Sequence, residues 1–156
     1  MIEIQKSETA DSRTAIGNPT KEELLNSSLQ HIGDVQKGLD FFRCMLCNAG
    51  KRHDFTKVDE AGIDAFYEAF AGKMIDDEFK AGPWFQRHIK EERHHMKDYM
   101  HPDINLIDVI ERVVDIVMAG MGRSGVVYED MLDAEMLQTA YANTIELLKN
   151  NVKVVE

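Results

Sequence analysis

The segment INLIDVIERVVDIVMAGMG, residues 104–122, decides the fold class of this chain. Its apolar residues recur every three or four positions, which places them on one side of an α-helix. Asp103 or Asn105 is suited to cap its N-terminus, and glycines follow at its C-terminal end. The apolar side of the predicted helix consists of Ile107, Ile110, Val114, Val117 and Met121.

Four further segments show the same helical spacing. The first begins with a capping box formed by Thr20 and Glu23 and extends to about residue 48. The others follow residue 56, run from Pro83 to before Pro102, and cover about 133–150. No long segment alternates with period two, so we predict an all-α single domain of about five helices. Residues 1–19 are predicted to be a flexible or loosely docked arm, residues 20–151 the helical domain, and residues 152–156 a short tail.

Length, charge and hydropathy limit the classes of function. A chain of 156 residues is expected to form one domain. Its net charge of −10 argues against broad nucleic-acid binding, although a small anionic substrate remains compatible. The sequence contains no apolar run long enough to span a membrane and begins without an apolar signal segment, so we expect a cytoplasmic protein. Lys51, Arg52 and Lys57 form a basic island in this acidic chain.

Cys44 and Cys47 lie three residues apart in the first helical segment. No second CxxC or CxxH pair is present to complete a zinc ligand set. We therefore predict that both are small apolar residues on a buried helix face.

Asp115 is the acidic residue of the 104–122 helix that most needs a partner. It directly follows the predicted core residue Val114, and Glu111 lies one turn earlier. A carboxylate at the edge of a buried face is costly unless it is paired or binds a cation. The candidates for tertiary partners are His31, His53 and Asp54. Two imidazoles and two carboxylates suit Mn, Fe, Co, Ni or Zn, and ligand type does not choose among them.

This ordered set resembles the HD-domain superfamily of metal-dependent phosphohydrolases. The resemblance rests on a His on one helix, a His-Asp pair about twenty residues later and a lone Asp on a later helix. It implies an HD-like helical bundle with a divalent metal held by His31, His53, Asp54 and Asp115. HDFTK is also similar to the HDxGK motif of several subfamilies, with Thr56 in place of Gly, which implies that Lys57 contacts an anionic substrate group. The segments HDFTK, RHHM, INLIDVIERVVDIVMAG and NTIELL show a closer similarity, to a family of unknown function frequent in phage genomes. That resemblance would place the protein in a bacterial or host cytoplasm.

The segment RHIKEERHHMKD, residues 87–98, raises the question of a second metal. If it is helical, His88, Glu91, Glu92 and His95 share one face. Some HD proteins hold two metals with two further histidines between the His-Asp pair and the last Asp, which implies that His88 and His95, or His94 in place of His95, bind the second. The alternative is a solvated helix face with Glu-Lys and Glu-Arg pairs.

These observations lead to three hypotheses. The first is a metal-dependent phosphohydrolase acting on a nucleotide or another small phosphomonoester, with Asp54 at the metal. Lys57, with Lys51 or Arg52, would neutralise the phosphate, Glu91 or Glu92 would relay a proton, and Arg123 is a further substrate candidate. The second is a two-metal HD protein, either a di-iron oxygenase or a phosphodiesterase. The third is a non-enzymatic helical binding protein with a vestigial site; a homo-oligomer is compatible with all three.

Overall fold

The computed structural model describes residues 1–6, 17–60, 62–71 and 75–155. Within these residues the predicted all-α class is confirmed, because six α-helices account for most of the chain and the two strands are short. A short 3-10 helix, Phe55–Lys57, follows the first α-helix. The elements in chain order are β1 (Ile2–Gln5), α1 (Lys21–Arg52), α2 (Gly62–Phe70), α3 (Asp77–Ala81), α4 (Pro83–Glu91), α5 (Leu106–Ser124), α6 (Ala134–Lys149) and β2 (Val152–Val155).

The chain divides into two compact units. The first comprises Met1–Met45 with Ile145–Glu156. In this unit β1 pairs in parallel with β2, with Ile2 opposite Val152. The capping box predicted at the start of α1 is confirmed, because the Glu23 carboxylate accepts a hydrogen bond from the Thr20 amide and Thr20 Oγ accepts one from the Glu23 amide.

The strand pair joins the two ends of the chain. Residues 2–5 belong to the predicted flexible or loosely docked arm, and residues 152–155 to the predicted short tail. They pair with each other, and each strand has four residues. Neither strand is long enough to show a period-two pattern by itself, and their pairing joins opposite ends of the sequence. Residues 7–16 of the predicted arm lie outside the described residues.

The second unit, Leu46–Thr144, contains the candidate site. Its buried core consists of Met96, Ile104, Met136 and Ala140. The prediction that the apolar side of α5 faces the core was partly wrong, because Ile110, Val114 and Met121 are exposed. Asp108 is buried instead, and Glu111 and Asp115 lie on the same side of the helix one and two turns later. The sheltered side of α5 is therefore rich in carboxylates.

α4 is shorter than predicted and ends at Glu91, so His95 does not continue a helical face from His88. Glu92 is extended, and its side chain bonds the backbone after α1 rather than facing solvent. These tertiary hydrogen bonds hold Glu92 in an extended conformation, so the helix does not continue for another turn. Residues 93–99 form turns instead, and the five-residue helix α3 is an element that the sequence pattern did not predict.

Two further features of the chain bear on the expectations from sequence. Cys44 and Cys47 are exposed, so their predicted burial was wrong. No helix of the described part is both long and apolar enough to cross a membrane.

Asp108 is expected to stabilise the second unit through two sets of contacts. Its carboxylate accepts hydrogen bonds from the Asn105 amide, which completes the capping box of α5, and from the Arg93 guanidinium. Asp108→Asn should lower the free energy of unfolding by about 2 kcal/mol, because it weakens a charge-assisted contact at a residue only 4% exposed. The measurement is urea denaturation followed by circular dichroism.

The matched control for this substitution is Asp103→Asn. Asp103 also contacts Arg93, but it is exposed, so its loss should cost less than about 1 kcal/mol. Equal losses for the two variants would contradict the role given to Asp108.

Candidate metal centre

The His-Asp pair lies in a tight turn between α1 and the 3-10 helix. Asp54 adopts a left-handed conformation with φ 57° and is the only non-glycine residue with positive φ in the part of the chain that the structure describes. Asp tolerates this conformation better than most residues, yet it still needs support from its surroundings. The turn directs the side chains of His53 and Asp54 toward residues that follow α4 and residues of α5.

Glu92 provides this support. Its carboxylate is 3% exposed and accepts hydrogen bonds from the backbone amides of Asp54, at 3.1 Å, and Thr56, at 2.9 Å. The Thr56 hydroxyl donates a further bond of 2.7 Å to the same carboxylate. The end of α4 and the His-Asp turn are therefore tied together by one buried side chain.

Among the described residues of the second unit, two groups of side chains have the geometry to hold a metal ion. In each, one ligand atom per residue lies within 4.8 Å of the others. The first group is His53, His94 and Glu111. Glu111 Oε1 is 2.9 Å from Nδ1 of His53 and 3.2 Å from Nδ1 of His94, although the second contact lacks hydrogen-bond geometry. Asp115 Oδ1 approaches the group at 3.5 Å from Nε2 of His53.

The second group is Asp54, His88 and His95. Nε2 of His88 and Nε2 of His95 face each other at 2.9 Å. Asp54 Oδ1 lies 3.6 Å from Nε2 of His88 and 3.7 Å from Nε2 of His94. This oxygen is buried and has no hydrogen-bond partner among the described residues. Lys57 neutralises this carboxylate at Oδ2, but a buried carboxylate oxygen that accepts no hydrogen bond is costly unless a further donor or a cation reaches it.

The two groups differ in their affinity for protons. Hydrogen bonding to Asp115 and Glu111 raises the pKa of His53 to about 10. Burial opposes ionisation of Glu111, but the hydrogen bond to His53 and the close imidazole of His94 lower its pKa to about 2. Burial lowers the pKa of His88 to about 3 and also lowers the pKa of His95. At neutral pH the first group therefore contains an ion pair, whereas the second presents neutral imidazoles, the form that binds metals.

The residues of the second group fit a divalent transition metal. With metal–nitrogen bonds of about 2.0–2.1 Å, two ligands at a right angle lie about 2.9 Å apart. The His88 and His95 nitrogens, which form a hydrogen bond in the metal-free protein, are separated by the same distance and so could bind one ion with little movement. Imidazole and carboxylate suit several such metals, so the donor set does not identify one.

Cation binding by the first group should release protons, because His53 must lose the proton that it retains at neutral pH. The affinity of this group for Zn²⁺ should rise with pH between 6.5 and 8.5, and binding should release about one proton. Titration calorimetry in two buffers of different ionisation enthalpy measures that number. If the affinity of this group for Zn²⁺ stayed constant between pH 6.5 and 8.5, His53 would not be protonated and paired with the carboxylates as we infer.

The structure brings together several of the predicted ligands. His53, Asp54 and Asp115 are neighbours, and His88 and His95 meet through the turn after α4. His31 lies in the first unit and is exposed, and neither group includes it, so its predicted part in the site stays a prediction.

Two residues of the groups were undervalued from the sequence. Glu111 was noticed only as the residue one turn before Asp115, and His94 only as a substitute for His95. The spacing of Glu111 and Asp115 was a usable signal, since residues four apart share one side of a helix.

The predicted substrate residues occupy different surroundings. Lys57 donates a hydrogen bond to Asp54 Oδ2, and Arg123 lines a cavity of about 260 Å³ that also reaches His88 and His95. Lys51 and Arg52 are exposed, and the Arg52 guanidinium lies 5.3 Å from the centre of the Phe55 ring. The two residues predicted to relay a proton lie in different environments. Glu91 pairs with Arg87 on an exposed surface, whereas Glu92 is buried. Their catalytic roles stay predictions.

No protein-family model matches the sequence, and comparison with curated proteins and with solved structures gave no match. Fold and geometry together define a class of protein, namely a helical protein with a buried histidine–carboxylate cluster that can hold a metal ion.

Proposed function

We propose that this protein is a metal-dependent phosphohydrolase that acts on a nucleotide or another small phosphomonoester in the cytoplasm. The observation that carries the proposal is the buried, unbonded Oδ1 of Asp54 facing the Nε2 atoms of His88 and His94. This arrangement has a ready explanation if a cation completes it. The resemblance of HDFTK to the HDxGK motif supplies the reaction class.

A divalent metal bound there would acidify water and polarise a phosphoryl oxygen. The protein's own residues would bind and orient the substrate beside it. Lys57 lies at Asp54 and Arg123 lines the same cavity, so two cations are available for a phosphate group. Because Lys57 is held by Asp54, its ammonium group is positioned before the substrate arrives.

The walls of the cavity support a nucleotide as the substrate. Phe79, Trp84 and Phe85 line it together with the histidines and the two cations. Aromatic side chains provide a surface on which a planar base can stack, and the cations lie where a phosphate would be placed. A small phosphate ester lacking an aromatic part would leave this apolar surface unused.

The presence of two ligand groups favours the two-metal form of the site over the one-metal form. Asp54 lies between them, with Oδ2 3.7 Å from Nε2 of His53 and Oδ1 3.6 Å from Nε2 of His88. A phosphodiesterase and a di-iron oxygenase both use such centres. Elemental analysis separates the cases, because two equivalents of iron favour the oxygenase and two of another metal favour phosphoester hydrolysis.

The test of function is hydrolysis of a panel of nucleotides and phosphodiesters with Mn²⁺, Co²⁺ or Mg²⁺ added after EDTA treatment. We expect phosphate or nucleoside monophosphate release that requires the added metal. If no metal copurifies, none raises the melting temperature and no substrate is cleaved, the protein is a non-enzymatic binding protein. That conclusion follows because a metal bound only by the native state must stabilise it.

A further inference from the structure

Thr56 is the residue at which HDFTK departs from the HDxGK pattern. A glycine has no side chain, whereas the Thr56 hydroxyl is fully buried and makes two hydrogen bonds. Its oxygen lies 2.7 Å from Oε1 of Glu92 and 2.7 Å from Nδ1 of His88. Thr56 thus connects the buried carboxylate to one of the candidate metal ligands.

The directions of these two hydrogen bonds follow from the chemistry of the groups. A carboxylate only accepts, so the single hydroxyl proton of Thr56 is donated to Glu92. The hydroxyl oxygen must then accept from His88, which places the proton of that imidazole on Nδ1. In a neutral imidazole the other nitrogen carries a lone pair, so Nε2 of His88 is free to act as a ligand.

The position of this lone pair agrees with the rest of the site. Nε2 of His88 faces both Oδ1 of Asp54 and Nε2 of His95. Because Nε2 of His88 is the acceptor in its 2.9 Å hydrogen bond with Nε2 of His95, the proton of that bond belongs to His95 in the metal-free protein. A metal ion would displace this proton, and Nδ1 of His95, which lies 3.4 Å from Oδ2 of Asp98, would then hold the proton of that ring. Two imidazole lone pairs and a carboxylate oxygen would then converge on the ion.

We propose that Thr56 is a positioning residue that keeps the proton of His88 on Nδ1, so that Nε2 points unprotonated at the cation. The proposal rests on the proposed function for the identity of that cation, but the tautomer is a property of the metal-free protein. A threonine at the glycine position of the motif thus has a role in this protein, because its hydroxyl orients His88 on α4.

The test compares Thr56→Val with Thr56→Ser in metal-free protein labelled with ¹⁵N-histidine. Nuclear magnetic resonance of the imidazole nitrogens at pH 7.5 reports which nitrogen of His88 is protonated. We expect Nδ1 to be protonated in the unsubstituted protein and in Thr56→Ser, and mainly Nε2 in Thr56→Val. An Nε2 proton in the unsubstituted protein, or an unchanged tautomer in Thr56→Val, would overturn the proposal.

Titration calorimetry with Zn²⁺ gives the second readout. Thr56→Val should bind about 10-fold to 100-fold more weakly, as is usual when a residue that orients a metal ligand is lost, and Thr56→Ser should bind like the unsubstituted protein. Equal affinities for Thr56→Val and the unsubstituted protein would also overturn the proposal. If the unsubstituted protein binds no Zn²⁺, the proposed function fails at this metal, and the tautomer measurement still decides the role of Thr56.

Thr144→Val is the matched control for stability. The Thr144 hydroxyl likewise makes two hydrogen bonds, accepting from the Leu106 amide and donating to the Ala140 carbonyl, but it contacts no candidate ligand. This variant should lose stability without a change in the tautomer of His88 or in Zn²⁺ affinity. A change in the tautomer here would show that general destabilisation, and not the Thr56 hydroxyl, moves the proton.

Discussion

Asp54→Asn is expected to lower both metal affinity and phosphoester hydrolysis by at least about 100-fold, because loss of a direct ligand should exceed the effect of losing a supporting residue. Asp54 contacts both ligand groups, and its buried Oδ1 has no other partner in the described chain. An amide of the same size removes the negative charge and turns one oxygen into a donor. The measurements are Mn²⁺ affinity by calorimetry and initial rates on the best nucleotide of the panel.

Asp64→Asn is the matched control for this substitution. Asp64 is exposed on α2 in the same unit and takes part in neither ligand group. It should retain full Mn²⁺ affinity and full activity, and both variants should show unchanged helicity. If Asp54→Asn keeps its metal affinity and rate within tenfold of the unsubstituted protein, the metal centre is not where we place it.

Glu92→Gln should destabilise the second unit by about 3 kcal/mol. The substitution replaces a buried, charged carboxylate that accepts three hydrogen bonds with an amide that has only one acceptor oxygen. In the native structure Oε2 accepts from the Asp54 amide, and Oε1 accepts from the Thr56 amide and hydroxyl. A glutamine must turn its NH₂ group toward one of these donors. Urea denaturation followed by circular dichroism measures the loss.

Glu91→Gln, one residue earlier, controls for the loss of a negative charge at the end of α4. Glu91 pairs with Arg87 on an exposed surface, so its substitution should cost less than about 1 kcal/mol. Similar losses for the two variants would mean that Glu92 does not hold the His-Asp turn.

The sequence carried enough information for the fold class and for the location of the site. Helical spacing of apolar residues predicted the three longest helices of the described residues, α1, α5 and α6, within a few residues of their ends. The Thr20–Glu23 capping box and the Asn105 cap were confirmed because both are local signals of three or four residues. Local signals fail where tertiary contacts decide the backbone, as they do where Glu92 ends α4.

The candidate site was predictable in some of its members but not in its pairings. His53, Asp54 and Asp115 were chosen because a carboxylate at the edge of a helix face needs a partner, and the structure brings these residues together. The link between His88 and His95 was expected from a helical face, but a turn creates it. Thr56 was noticed only as a departure from a motif, since its two hydrogen bonds join residues more than thirty positions away.

The most direct test of the metal centre is anomalous scattering from a crystal of the protein grown with Mn²⁺. Data collected on both sides of the manganese absorption edge locate the ion without any assumption about activity. We predict a peak bounded by Oδ1 of Asp54 and the Nε2 atoms of His88 and His95. A crystal that contains bound Mn²⁺ elsewhere, with no peak among these three atoms, would contradict the assignment.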